Sequence, residues 1–585
     1  MSDDAQTPAS SDLSNARIAE HFDELGDLYE LDGAVVHRVL AYRNAAKAIR
    51  DAPRSVAALT RAGTVTELPG IGKTLAEKLD ALVTTGEIPA LTKLRGKIPD
   101  GLRMITRLPG LGPKRAKKLH AELGVDGPEA LRAAIADQRI RELAGFGPKS
   151  EEKLLAALDA AGDDLTGPKR ELLSKALPIA QSLVDELRDR GAAVGVHRVE
   201  IAGSARRQAD SVHDLDIIAT ADDAEGLVAV FASSELLDDV HRRGTNGASA
   251  TTHTGLSVDL RVVAPDQFGN LLQHFTGSKA HNVEIREAAV KRGLHVSEYG
   301  ILDDATGETE RFATEEEVYA RLGLPWIPPE LRENRGELQL QRVPPLITVD
   351  DLRGDLHMHT TASDGRGSIR DMVEAARANG HEYIAITDHS ASHGFGDDVS
   401  PDQLRATIEE VRRLNDELDD FTVLAGSEVN ILTDGSLDYD DELLAELDWV
   451  VASVHTAFGS DPTARIIAAC EHPSVDVIAH PTGRLIEKRT SYDLDVDAVI
   501  AAAARTGTFL EINGAPRRRD LHDVHARQAK DAGVLLVIDS DAHGPETQEN
   551  VRWGVATARR AWLGPDDVAN TRPWADLRKL RKGGR

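Results

Sequence analysis

At 585 residues the chain is too long for a single hydrophobic core, and length alone predicts three or four domains. Hydrophobic residues make up an ordinary 41%. No apolar run approaches the ~20 residues of a membrane span, and one cysteine, Cys470, excludes an internal disulfide framework and makes the cytoplasm the natural compartment. The formal charge of −28, from 97 acidic against 69 basic side chains, argues on its face against nucleic acid, since phosphate binding needs local positive potential.

The average conceals an asymmetry. Met1 to Asn15 is Ser-, Ala- and Asp-rich, with no basic start and no apolar core, and is expected as a short disordered tail rather than a signal peptide. Gly33 to His120 then holds 17 Lys and Arg against 6 Asp and Glu, a net of +11, and takes eight of the chain's 18 lysines. A basic module is therefore set in a chain otherwise acidic and poor in lysine, a composition that suggests a high-salt, halophilic cytoplasm.

From Ala16 to about Leu165 the sequence reads as helices joined by Gly-containing turns. Three turns share one pattern: Leu68-Pro69-Gly70-Ile71-Gly72-Lys73, Leu108-Pro109-Gly110-Leu111-Gly112-Pro113-Lys114, and the weaker Leu143-Ala144-Gly145-Phe146-Gly147-Pro148-Lys149. In each, Gly-x-Gly opens a helix whose free N–H groups form an anion site, with a lysine following at once. One copy reads equally well as an ordinary helix-turn-helix. Three copies, two of them in the +11 segment, resemble helix-hairpin-helix motifs, which grip DNA phosphates without reading sequence; Gly70, Gly72, Lys73, Gly110, Gly112 and Lys114 are the DNA-binding candidates.

Around Val196 the texture turns strand-like. Ala202-Gly203-Ser204-Ala205-Arg206-Arg207 precedes Asp214-Leu215-Asp216-Ile217-Ile218, and Asp259 stands in Val258-Asp259-Leu260-Arg261. On a strand, Asp214 and Asp216 share one face while Leu215 and Ile217 face the core. With Asp259 on a neighbouring strand they form a three-carboxylate set for two Mg²⁺ or Mn²⁺ ions, which activate a 3′-hydroxyl and stabilise pyrophosphate. Gly203, Ser204 and Arg207 would cradle the triphosphate.

Together with Ala41-Tyr42-Arg43 and Phe275-Thr276-Gly277-Ser278, these motifs from about Ile18 to Leu331 resemble the family X DNA polymerases. The resemblance implies metal binding at Asp214, Asp216 and Asp259 and nucleotide contact at Ser204, Arg207, Gly277, Asn282 and Arg286. Asn282 and Arg286 match positions that monitor the minor-groove edge of the nascent pair. It also implies a possible Schiff-base nucleophile for 5′-deoxyribose phosphate lyase chemistry at Lys78, whose alternative is an ordinary surface lysine. His213 stands where the family often has glycine and His274 where animal members have tyrosine.

Pro325 to Pro345, with two double prolines, is the best linker candidate. Beyond it, seven apolar strand candidates alternate with helices: Leu352–His357, Tyr383–His389, Thr422–Glu428, Asp448–His455, Asp476–His480, Thr508–Asn513 and Val534–Asp541. Such alternation predicts a closed, distorted parallel barrel. His357, His359, Asp364, His389, Glu428, His455, His480, Asp541 and His543 lie at or just past strand C-termini, where barrels place their chemistry. Imidazole with carboxylate and no thiolate suits Zn²⁺, Mn²⁺ or Fe²⁺.

Leu352 to about Ala561 resembles the PHP (polymerase and histidinol phosphatase) domain, a (β/α)7 barrel with three metals. By that likeness His357, His359, Glu428 and Asp541 hold one metal, Glu428, His455 and His480 a second, and Asp364, His389 and His543 the third, Asp364 replacing a histidine of some relatives. Metal-assisted hydrolysis of a phosphodiester or phosphomonoester is implied.

The expected fold is multidomain, α plus α/β. A lyase-like helical domain spans 1–97 and a helix-hairpin-helix subdomain 98–190, followed by a nucleotidyltransferase palm with thumb over 191–335 and the PHP barrel over 336–585. The joint resemblance is to bacterial and archaeal family X polymerases with a C-terminal PHP domain. It implies gap filling in base excision repair, with 3′→5′ exonuclease or abasic-site endonuclease activity from the barrel. Gapped or nicked DNA and deoxynucleoside triphosphates are the expected partners, with no membrane, and a monomer is expected. The rival readings are a phosphatase barrel fused to a non-catalytic DNA-binding module, and a scaffold that bridges gapped DNA.

If the hairpins grip DNA, Lys114→Glu with Lys117→Glu should weaken binding to gapped duplex of any sequence. The salt slope should fall by about one unit for each phosphate no longer neutralised. Unchanged affinity and slope would leave the hairpins a purely structural role.

Overall fold

The computed structural model describes residues 13–52, 54–106, 111–143, 145–148, 150–151, 154–155, 158, 170–392, 394 and 398–582. The chain falls into two compact units: 1–171, 178–200 and 213–263 make the first, and 172–177, 201–212 and 264–585 the second. No helix among the described residues is long and apolar enough to cross a membrane.

The first unit begins with a helical array. Helices Asn15–Asp32 and Val36–Asp51 pack through Ile18, Phe22, Leu25, Tyr42 and Ile49, all buried. Ser14 caps the first of them, and Gly33 ends it in the left-handed region at φ 89°. Ile71, Leu79, Leu111 and Leu119 carry the same core through two of the Gly-x-Gly turns. A mixed five-stranded sheet follows, built from β1 (Val196–Ile201), β2 (Asp214–Ala221), β3 (Leu237–Arg243), β4 (Gly247–Thr252) and β5 (Ser257–Val262) in the order β1-β2-β5-β4-β3. Strands β2 and β5 are parallel neighbours.

The second unit holds the thumb segment and the barrel. Helices Phe268–Thr276 and Lys279–Val290 precede a three-stranded sheet of β6 (Leu294–Ser297), β7 (Gly300–Asp303) and β8 (Thr309–Glu310), and helix Glu315–Arg321 follows. The proline-rich stretch read as a linker is packed, with Ile327, Leu331, Arg332 and Glu337 fully buried. Charge explains the docking. Glu315 accepts from Arg206 at 2.8 and 2.9 Å and pairs with the buried guanidinium of Arg332.

Seven parallel strands then form the barrel in sequential order: β9 (Gly354–Asp355), β10 (Tyr383–Ile386), β11 (Thr422–Asn430), β12 (Trp449–Ser453), β13 (Val477–Ile478), β14 (Phe509–Asn513) and β15 (Leu536–Asp539). All seven candidate strands of the sequence are present, most of them shorter than expected. A parallel bridge between Met358 and Ala542 brings the ends of the sheet together. Carboxylates complete that seam: Leu356 N donates to Asp539 Oδ1 at 2.8 Å and Ser540 N to Asp355 Oδ1 at 3.1 Å. Capping boxes at Ser368/Asp371 and Ser400/Gln403 start two of the outer helices. Cys470 is buried in the barrel core.

Burial alone would raise the Glu315 carboxyl, but Arg332 and Arg206 outweigh it and hold it down at about 2. A depressed folded-state value means stability that is complete above the ordinary carboxylate range and lost as pH falls through about 2. Glu315→Ala, which strands two guanidiniums, should cost about 3–5 kcal/mol in urea unfolding. A loss under 1 kcal/mol would show that solvent reaches both arginines.

Candidate metal centre and nucleotide-transfer site

Because every barrel strand runs the same way, the strand C-termini open on one rim and gather their polar residues there. His357 and His359 follow β9, and His359 N donates to Ala542 O at 2.8 Å. His389, beyond β10, is bridged to Glu428 of β11. His455 follows β12, His480 follows β13, and Asp541 and His543 follow β15. Three sets bring ligand atoms within 4.8 Å of one another: His359, Asp364, His389 and His543; His357, His359 and Asp541; His389, Glu428 and His455.

Glu428 is the hub. Its carboxylate, 1% exposed, lies 2.9 Å from a ring nitrogen of His389, 2.9 Å from His480 and 3.2 Å from His455, with His357 and His359 at 3.4 and 3.6 Å. His480 and Asp541 take positive φ, 30° and 53°. A non-glycine residue holds that strained conformation only where its surroundings fix it.

The electrostatics are those of ligands held close. Burial opposes the Glu428 charge, yet His455, His357 and His389 keep its carboxyl well below the ordinary range. Burial equally opposes the Asp541 charge, and His357, His359 and His543 hold that carboxyl well below the ordinary range. Burial, with His389 and His543 adding repulsion, pushes His359 down to about 3. Burial and the Arg518 guanidinium do the same to His480. In His543, Asp364 and Asp541 overcome burial and lift the imidazole to about 9. His357 is also raised, since Glu511, Glu428 and Asp541 outweigh burial.

The donor set fits divalent metal. The Nε2 of His357 and both ring nitrogens of His359 are buried without a hydrogen bond. Carboxylate oxygens of Glu428 and Asp541 stand 3.3–3.7 Å from the Nε2 atoms, close enough to share an ion. Three supporting residues escaped the sequence reading. Glu511 Oε1 lies 2.6 Å from His357 Nδ1, leaving Nε2 to face the centre, while its Oε2 accepts from His480 N at 2.6 Å. Asn513 donates to Asp541 at 3.1 Å, and Arg518 Nε lies 3.2 Å from the same carboxylate. The available signal was an acid, Glu511, alternating with Leu510 and Ile512 inside an apolar strand.

In the five-stranded sheet, Asp216 of β2 stands directly opposite Asp259 of β5, and Asp214 lies two residues before on the same face. Leu215, Ile217, Val258 and Leu260 are buried on the other face. Asp259 accepts a hydrogen bond from Ser249 of β4. The three aspartates do not form one of the tight ligand sets found among the described residues. They share one face of two adjacent interior strands, with Asp214 exposed and the other two half-buried.

Gly203 is buried at φ 64°, opening a one-turn helix that contains Ser204. Arg207 is engaged: its Nε donates to Glu333 and its Nη1 to Thr276 O, both at 2.9 Å. The Asn282 amide donates to His274 O and Gly277 O and accepts from Gln273. Gly277 is required there, since a Cβ would lie 2.6 Å from Asn282 Oδ1. Arg286 is exposed. Gly72 and Gly112 start helices Lys73–Thr85 and Pro113–Leu123 with no side-chain cap, leaving their first N–H groups open beside exposed Lys73 and Lys114. Gly70 takes φ 83°, and Lys78 is half-buried on the first helix. Gly110 and Lys149 lie outside the described residues.

Comparison with known proteins matches residues 13–88 to a helix-hairpin-helix domain and 102–160 to a SAM-like helix-hairpin-helix tandem. Residues 271–333 match the DNA polymerase beta thumb, and 355–513 the PHP domain. Hairpins, thumb and a barrel of metal ligands in this order define one class, and the chain belongs to it: the family X DNA polymerases with a C-terminal PHP domain. It is 39% identical over 559 residues to DNA polymerase/3′-5′ exonuclease PolX of Bacillus subtilis (strain 168), covering 94% of this chain and 96% of that protein. Part of the chain is also similar to a probable phosphatase of Shewanella sediminis (strain HAW-EB3), 32% identical over 243 residues, which is 39% of this chain and 94% of the relative.

Replacing Glu511 by Gln keeps the shape of the His357 support and removes its charge. Metal binding to the purified protein, followed by competitive chelator titration, should weaken about 10–100-fold with the circular dichroism spectrum unchanged. Unaltered affinity would mean that His357 needs no orienting anion.

Proposed function

We propose that this chain is a DNA-directed DNA polymerase that fills short gaps during base excision repair, and that its PHP barrel removes nucleotides from 3′ ends or incises at abasic sites. The observation that carries this reading is the presence in one chain of paired carboxylates in register on polymerase strands and of a full His and carboxylate rim on a PHP barrel.

In the polymerase half, Asp214, Asp216 and Asp259 would hold Mg²⁺ or Mn²⁺ and thereby place the primer 3′-hydroxyl against the incoming triphosphate. Ser204, half-exposed on its glycine turn, meets the phosphates. Arg207 ties that turn to Thr276 and Glu333, fixing the turn's position. In the barrel, His357, His359, Glu428 and Asp541, then Glu428, His455 and His480, then Asp364, His389 and His543 would hold three divalent ions, Zn²⁺ or Mn²⁺. Such ions supply Lewis-acid activation of water and of the scissile phosphate when bound. Glu428 and Asp541 supply the negative charge that keeps them close together, and neutral His359 and His480 offer lone pairs at neutral pH. Lys73 and Lys114 hold DNA phosphates at the hairpins, and Lys78 is the candidate lyase nucleophile. A monomer in the cytoplasm, acting on gapped or nicked duplex, fits this reading.

A small-molecule phosphatase joined to a passive DNA-binding module is the competing reading. The phosphatase of Shewanella sediminis matches 39% of this chain, whereas the polymerase relative spans 94% of it. The Asp216–Asp259 register also has no use in a passive module.

The two centres share no ligand, so they should fail separately. Asp216→Ala with Asp259→Ala should abolish primer extension on a one-nucleotide gap by several orders of magnitude while leaving 3′-end shortening near wild type. His357→Ala with His359→Ala should do the reverse. Loss of both activities in the folded barrel variant would sink the assignment of two independent centres.

A further inference from the structure

The one-turn helix Gly203–Arg206, which presents Ser204, belongs with the barrel to the second unit. Beyond it the chain turns through Gln208, a non-glycine residue at φ 57°. Such a conformation persists only where its neighbours fix it. Here the neighbours are guanidiniums of the barrel. Arg519, on the segment after β14, donates from Nη2 to Gln208 O at 2.9 Å and from Nη1 to Ala209 O at 3.0 Å. Arg560, the last residue of helix Val551–Arg560, donates from Nη1 to Arg207 O at 2.8 Å. Both contacts run on into the turn: Ala209 N donates to Ser204 O at 3.1 Å, and Arg207 N to Gly203 O at 3.3 Å. Each barrel arginine is therefore one residue removed from a residue assigned to the triphosphate.

Arg519 is held there at a cost. It is 2% exposed, and its remaining contact is the neutral Thr557 Oγ1, at 2.9 Å from Nε. No carboxylate among the described residues bonds to it. Burial, with repulsion from Arg560 and Arg484 opposing the attraction of Asp210, pulls the guanidinium down to about 9. An apolar side chain would fill the same space without that desolvation. What it could not do is hold two adjacent carbonyls in a fixed fork.

We propose that Arg519 and Arg560 of the barrel are positioning residues for nucleotide addition: by holding the carbonyls of Arg207, Gln208 and Ala209 they set the Gly203–Ser204 turn in the geometry that receives the triphosphate. The barrel thereby serves the polymerase reaction as well as its own. The proposal rests on the assignment of Ser204 to the triphosphate. Neither arginine touches substrate, so removing one leaves the reacting groups in place and loosens the hold on the phosphates. Arg559 supplies a control from the same helix. It ties the barrel to the thumb segment through Glu330 at 2.8 Å and Ile347 O at 3.0 Å, neither of them in the turn.

The test is steady-state filling of a one-nucleotide gap by the full-length protein, with inorganic pyrophosphate as competing ligand. In Arg519→Met and in Arg560→Met, the KM for the deoxynucleoside triphosphate and the pyrophosphate inhibition constant should both rise about tenfold, with kcat within about threefold of wild type. Neither change strands a carboxylate: Asp210 keeps Arg484, Glu333 keeps Arg207 and Asp523 keeps Arg335. Shortening of 3′ ends in both variants, and both constants in Arg559→Met, should stay within about twofold of wild type. Unchanged constants in both turn variants overturn the proposal. So does an equal rise in Arg559→Met, which marks general cohesion of thumb and barrel, or an equal loss of gap filling and 3′-end shortening, which marks a damaged fold. Ser204→Ala separates the proposal from the reading beneath it. A rise in both constants there, with none in the arginine variants, refutes the positioning role alone, whereas no change in Ser204→Ala refutes the triphosphate assignment.

Discussion

A single buried carboxylate organises the barrel. Glu428 has five histidines within 3.6 Å, on residues drawn from four other strand ends. A charge taken out of water costs several kcal/mol unless it is compensated on the spot, and here the compensation comes from imidazoles that must therefore converge. Those imidazoles can converge only because seven parallel strands end on one rim. The parallel sheet, its seam and the positive φ of His480 and Asp541 all serve that convergence.

Under the proposed assignment the two centres would meet divalent ions by different physical routes. In the barrel the ligands are pre-assembled and most are buried, with His359 held neutral by burial and its histidine neighbours and Glu428 and Asp541 held deprotonated by the imidazoles around them. In the five-stranded sheet the acids sit on one face of two interior strands, partly solvated, and the Asp216–Asp259 register places two of them side by side. Three carboxylates repel one another, so an open site leaves their final spacing to the ions and phosphates they meet. A pre-assembled rim and a partly solvated sheet face would suit, under that proposal, hydrolysis and nucleotide transfer respectively.

Ion pairing also welds the thumb segment to the barrel within the second unit. Glu333 Oε1 accepts from both Arg207 and Arg560, at 2.9 and 2.8 Å. Arg519 donates to the carbonyls of Gln208 and Ala209. The turn bearing Gly203 and Ser204 is thus anchored by arginines of the barrel, and the residue after Arg518 does part of that anchoring. An acidic chain with few lysines relies here on planar guanidiniums, which satisfy several acceptors at once.

Much was legible in the order of residues. Alternation of apolar strands with helices announced the barrel, and His or Asp at strand ends announced its rim, because strand period and polarity are local properties. The Asp-x-Asp pattern likewise put Asp214 and Asp216 on one face without knowledge of their partner. What only the tertiary structure decided is what depends on pairs distant in the chain: that Asp216 faces Asp259, that Glu511 orients His357 across 154 positions, and that Arg207 is held by Glu333. The packing of the proline-rich stretch belongs to the same class, since prolines mark a break in regular structure but say nothing of whether Arg332 beyond them finds Glu315. Local sequence sets periodicity and chemistry. Register, charge compensation and the hydrogen bonds that orient ligands arise from long-range packing, which no short window of sequence contains.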